Sequence, residues 1–152
     1  MTQTPVPDFD PADAASYSFW TEEILRFADL DMVGHVNNNA IGVFIENGRV
    51  HMFHDGGENL EKTAEGSGHT WVVRRLEIDF MAEIRFPSKV KVGTRVAKVG
   101  NTSCTVHQGV FVDGSCRVTA MTIGVCFDPR TRKSTPIPDA VRARMLSHVP
   151  KG

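Results

Sequence analysis

The stretch that most limits how this chain can fold is residues 38–55, NNAIGVFIENGRVHMFHD. Its apolar positions Ile41, Phe44, Ile45, Met52 and Phe53 recur at helical spacing, and Val43 and Val50 widen the stripe. A stripe this wide predicts a helix wrapped on more than one side by sheet. Gly42 and Gly48 each cost roughly 1 kcal/mol of helix propensity relative to Ala. That cost is tolerated most readily where glycine lets the helix approach a sheet closely. Gly56-Gly57 is placed to end the helix with a left-handed cap.

The flanking sequence supplies the sheet. Residues 17–27 alternate, with Phe19, Thr21, Glu23, Leu25 and Phe27 on one side, and the mixed faces predict an edge strand or one covered by another subunit. Residues 28–37 form a loop, and residues 58–69 are polar without apolar period. Strands are predicted over 71–84, 89–99, 102–112 and 115–127. They are separated by turns at Pro87-Ser88, Gly100-Asn101 and Asp113-Gly114, the last a strong hairpin signal. A polar turn at 128–133 precedes a short helix from about Asp139 to Leu146, with Pro138 at its start. The order of one strand, a long helix, four antiparallel strands and a terminal helix is an α+β pattern.

The chain of 152 residues reads as one domain, residues 17–152, preceded by an arm, residues 1–16. The arm carries three prolines and Asp8, Asp10 and Asp13, and is expected to be flexible or to lie on the surface. With 41% apolar residues the rest can bury a core without metal or disulfide help. A formal net charge of −1 gives no basic excess for nucleic acid. Cys104, Cys116 and Cys126 are odd in number and lack metal-ligand spacing, so they read as buried thiols in a reducing compartment. No apolar run is long enough to span a membrane, the start does not resemble a signal peptide, and a cytoplasmic location is expected. His51 and His54 lack a third ligand, so neither a metal nor a cofactor is expected. Cys104 with His107 lacks the surroundings of a Cys–His nucleophile.

Chemistry concentrates in the loop before the helix. Asp29 and Asp31, then Gly34, His35 and Asn37-Asn38-Asn39, crowd acidic, imidazole and amide groups between two apolar runs. Asn is a favoured helix N-cap. The N–H groups left free at a helix start form a partial positive site suited to a developing oxyanion. Asp31 can equally close a turn by an Asx-type bond, and His35 can be structural or functional. Asn37 and Asn39 read as cap or turn residues. Glu46 and Arg49 can pair as i,i+3 neighbours. Arg74, Arg75, Lys89, Lys91, Arg130, Arg132 and Lys133 are candidate phosphate contacts that solvation alone would also explain.

Asp29-Leu30-Asp31, then Gly34-His35-Val36-Asn37-Asn38, Glu46 and Arg49, resemble the signature of hotdog-fold acyl thioesterases of the 4-hydroxybenzoyl-CoA and acyl-carrier-protein types. Residues 72–80 with Ile84 and Pro87, and Cys126-Phe127-Asp128-Pro129, resemble strands of the same family. The resemblance covers roughly residues 17–147. It implies a hotdog fold: an antiparallel sheet of about five strands wrapped around the long helix. It also implies assembly as a homodimer or homotetramer.

The resemblance further implies roles in hydrolysis of an acyl-CoA or acyl-carrier-protein thioester. Asp31 matches the catalytic carboxylate, acting as general base or nucleophile. Asn38 matches the helix-start N–H that polarises the carbonyl, and His35 the histidine of the acyl-carrier-protein branch. Asn37 and Glu46 are candidate substrate-binding positions. The sequence departs from relatives at Phe27 and Ile41, where a tyrosine is common, and at Val33, where plant acyl-carrier-protein enzymes have asparagine. Two other readings stay open. One is a non-catalytic acyl-thioester sensor, although sensors usually add a DNA-binding module. The other is an enoyl-CoA hydratase or dehydratase, although the segment from Asp31 to His35 is one residue shorter than theirs and lacks their proline.

Overall fold

The computed structural model describes residues 6–55, 58 and 68–148. Its elements are β1 (Phe19–Ile24), α1 (Asn38–Asp55), β2 (Thr70–Phe80), β3 (Lys89–Val99), β4 (Ser103–Val112), β5 (Ser115–Asp128), the two-residue β6 (Lys133–Ser134) and α2 (Asp139–Ser147). The sheet runs β1-β3-β4-β5-β2, all antiparallel, with β6 added to the end of β5. The two strands that flank α1 in sequence therefore lie at opposite margins. The helix crosses the concave face to link them, which is the hotdog arrangement.

The curl has a local cause. The β2–β5 pairing shifts register between Val73 and Arg75, β3–β4 between Val96 and Lys98, and β4–β5 between Val110 and Phe111. Each bulge bends its strand and increases the right-handed twist. The hairpin β4–β5 closes as the sequence predicts, with Asp113 and Gly114 both at positive φ (51° and 76°).

Two apolar clusters hold α1. Ala40, Ile41, Phe44 and Ile45 pack with Val90, Val92, Val110 and Val118, while Met52 packs with Val96, Val106, Ile137 and Met145 of α2. Burying an Ile or Phe completely is worth about 1.5–3 kcal/mol. Gly48 lies at the closest approach: a Cβ there would come within 2.9 Å of Gln108 Nε2 and 3.1 Å of Val92 Cγ1. Gln108, itself fully buried, donates to the Ile45 carbonyl (2.8 Å) and to Thr94 Oγ1 (3.1 Å), fixing the helix to the sheet.

Several boundaries differ from the sequence reading. The helix stripe is narrower, because Val43 and Val50 are exposed on the side of α1 that the sheet leaves open. A Cβ on Gly42 would meet nothing within 4 Å, so close packing does not explain that glycine. The first strand stops at Ile24, because Asp29 draws Arg26 into a 3-10 turn, Phe27–Asp29. Strand β2 stops at Phe80, where Met81 and Ala82 both donate to the Arg117 carbonyl. The Gly56-Gly57 cap and most of the 58–69 loop lie outside the described residues.

Residues 6–16 of the arm lie across the outer face of the sheet. Arg95 sits 3.7 Å over the Phe9 ring, and the same ring meets His107 edge-on at 5.2 Å. Burial and the neighbouring Arg95 lower the pKa of His107. Burial pushes the Cys104 thiol up to about 12 and, helped by Glu58, Cys126 up to about 11; both are buried and free. No helix among the described residues is long and apolar enough to cross a membrane.

Candidate functional site

The loop between Leu30 and Val36 is closed by its own backbone. Leu30 and Val36 form an isolated bridge, Asp31 N–H donates to the His35 carbonyl (2.7 Å), and Gly34 N–H donates to the Asp31 carbonyl (3.2 Å). Gly34 sits at φ +80°, a conformation that suits glycine. Inside the turn Asp31 Oδ1 accepts from Val33 N–H (2.9 Å) and His35 N–H (3.0 Å). The Asx-type bond foreseen as an alternative is therefore made. Asp31 Oδ2 has no partner among the described residues, and the side chain is exposed in the isolated protomer.

Two further bonds fix the loop to the fold. Val36 N–H donates to the Ile84 carbonyl, and Asn37 N–H to the Asp29 carbonyl, both at 2.8 Å. Asp29 is buried beneath, accepting from Arg26 N–H (2.9 Å) and Nη2 (2.9 Å). The Arg26 hydrogen bond holds the Asp29 carboxyl below the usual carboxylate range, although burial opposes it.

Asn37 is the N-cap of α1: its Oδ1 accepts from Ala40 N–H at 2.8 Å, and its carbonyl accepts from Ile41 N–H at 3.2 Å. The N–H groups of Asn38 and Asn39 have no partner among the described residues. They are the positive end of an 18-residue helix. Asp31, His35, Asn37 and Asn38 are thus gathered within one loop and one helix start.

His35 points to a residue the sequence did not single out. Its Nε2 lies 2.6 Å from Glu83 Oε2, and Glu83 Oε1 accepts from Arg85 Nε at 2.8 Å. Arg85 first, then His35 and Arg117, hold the Glu83 carboxyl below its ordinary value. The Val36–Ile84 bond and the His35–Arg85 bridge bring these segments together across a long sequence gap.

Glu46 stands apart, eight residues beyond Asn38, or about 12 Å along the helix axis. It lies on the rim of a cavity of about 200 Å³ with Arg49, Phe53, Trp71, Val106 and Thr122. The surface ion pair expected between Glu46 and Arg49 is not made. Arg49 is instead buried, with Nη1 3.3 Å from Thr122 Oγ1. The two positions where relatives have tyrosine also divide: Phe27 is 88% exposed, while Ile41 is core.

Residues 25–145 match the thioesterase-like superfamily. The uncharacterized protein YsmA of Bacillus subtilis (strain 168) is 26% identical over 92 residues, which are 60% of this chain and 60% of that protein. The match thus spans less than two thirds of that relative. Among solved structures, a predicted thioesterase from Bacillus stearothermophilus is 28% identical with a TM-score of 0.78, over 88% of this chain and 98% of that one. A thioesterase from Thermus thermophilus, complexed with coenzyme A and Zn, is 26% identical with a TM-score of 0.76, over 87% of this chain and 94% of that one. With the matched segment running from just after β1 into α2, this chain belongs to the thioesterase-like superfamily.

Proposed function

We propose that the protein hydrolyses acyl-CoA thioesters at the start of α1, using Asp31 as general base or nucleophile. The observation that carries this reading is the pair of unpartnered N–H groups at Asn38 and Asn39, beside a loop that presents a carboxylate. Preorganised backbone donors stabilise charge that develops on a carbonyl oxygen in the transition state. In the general-base form, Asp31 Oδ2 takes a proton from water as the water oxygen bonds to the thioester carbon. The carbonyl oxygen becomes negative against the helix N–H groups. Collapse then breaks the C–S bond, and the proton leaves with the thiolate, giving a carboxylic acid and a thiol. His35, oriented by Glu83, assists by positioning water or substrate. The coenzyme A held by the Thermus relative favours coenzyme A over a carrier protein as the thiol.

A second copy of the chain completes this site. Asp31 is exposed in the protomer, and so are its apolar neighbours Phe27, Met32 and Val33. β2 is a margin strand with Val72, Val73, Leu76 and Phe80 exposed along it. An apolar open edge of this length invites strand pairing. A dimer that covers it would shield the Asp31 loop from bulk water.

The test is turnover of an acyl-CoA panel by wild type and Asp31→Ala. Loss of about 100-fold or more in kcat is expected for a base or nucleophile. Unchanged turnover in the variant would remove Asp31 from the mechanism.

A further inference from the structure

The cavity between the open side of α1 and strands β2, β4 and β5 has a composition that the proposed hydrolysis does not use. Most of its wall is apolar: Phe53 and Trp71 stack at 5.5 Å and 13°, and Val106 with the partly exposed Val50, Val72 and Val73 also line it. One cation is built into it. Arg49 is 8% exposed, and among the described residues its Nη1 reaches only the Thr122 hydroxyl and no carboxylate lies within ion-pairing distance. Burial lowers the Arg49 pKa, and Glu46, one turn earlier on the rim, does not fully offset this.

An unpaired buried charge is costly, and a neutral hydroxyl at 3.3 Å compensates little of it. A buried guanidinium at the base of an aromatic-walled cleft has the donors that bind a carboxylate in a two-pronged fashion. We propose that this pocket is a specificity site for the far end of the acyl group, where Arg49 and Thr122 select chains that end in a carboxylate. The proposal rests on the thioesterase reading above for the identity of the ligand's other end. From Asn38 to Arg49 the helix rises about 16 Å, and the Arg49 side chain leans back toward the helix start, which shortens the span. A medium-length dicarboxylic chain would run along the open side of α1 past Gly42, where nothing lies within 4 Å of an added Cβ.

The experiment compares octanedioyl-CoA with octanoyl-CoA, using wild type, Arg49→Met and Thr122→Val. Free octanedioate and octanoate are titrated calorimetrically into the same proteins, and each protein's mass in solution is measured. Wild type is expected to favour octanedioyl-CoA by at least tenfold in kcat/KM, and the ratio to fall at least tenfold in Arg49→Met and less in Thr122→Val. Octanedioate is expected to bind wild type more tightly than octanoate does. A wild-type preference for octanoyl-CoA, or equal binding of the two free acids, overturns the proposal without needing a folded variant. So does conversion of an oligomer to monomers by Arg49→Met, which would assign Arg49 to a contact between copies. Hydrolysis of neither ester would sink the hydrolase reading alone. The octanedioate titration would then still decide the pocket, with equal binding of the two acids counting against it.

Discussion

Two aspartates two positions apart have opposite tasks. Asp29 is 2% exposed and clamps Arg26, while Asp31 faces outward and spends one oxygen on its own loop. Their sequence surroundings do not separate them. The difference arises from the direction of the Arg26 side chain and from the Asn37 N–H reaching back to the Asp29 carbonyl. Asp29 therefore carries a pH signature. Its folded pKa lies below the unfolded value of about 3.9, so its contribution is present above that value and is lost as pH falls through the folded one. Asp29→Asn is expected to lower the denaturation midpoint at pH 6 and to flatten the fall in stability as pH drops below about 4. Urea titrations across that range check it, and parallel curves for both proteins would count against the clamp. The residue types of the site were legible in the sequence, but Glu83 and Thr122 were not. Glu83 reaches His35 beside the His35–Arg85 bridge, and Thr122 reaches Arg49 through the packing of α1 on the sheet, and local spacing encodes neither.

At the scale of the element, α1 joins two faces with different demands. The approach at Gly48 was readable as a glycine costly to a helix, and Gln108, Thr94 and Val92 occupy the space a side chain would need. The openness at Val43 and Val50 was not readable, because a wide stripe looks the same whether sheet or a second molecule covers its flank. The two helix glycines should respond oppositely to the same change. Gly48→Ala is expected to destabilise by about 1–3 kcal/mol through overpacking. Gly42→Ala, with nothing within 4 Å, should stabilise the protomer by up to about 1 kcal/mol. Thermal denaturation of both variants tests the contrast. Equal losses would show that the approach at Gly48 is not what the glycine serves.

For the whole molecule, the five long strands and their succession along the chain followed from alternation and turn residues, whereas the short β6 and the placement of β1 and β2 at opposite margins did not. Antiparallel alternation is satisfied by several strand orders, and only the crossing of α1 selects this one. The open β2 edge gives a test of assembly. Leu76→Lys places a charge on that edge, and is expected to reduce the sedimenting mass to one chain and to lower turnover at least tenfold. A monomeric wild type would remove the second copy from the site. The same strand order also sets a sequence of events in time. β3, β4 and β5 are joined by tight turns and can zip up from local encounters, while β1 must find β3 across the length of α1 and β2. The meander is therefore expected to form first and the outermost strands last, so that the helix start with its free N–H groups takes its final position only as the chain closes around it.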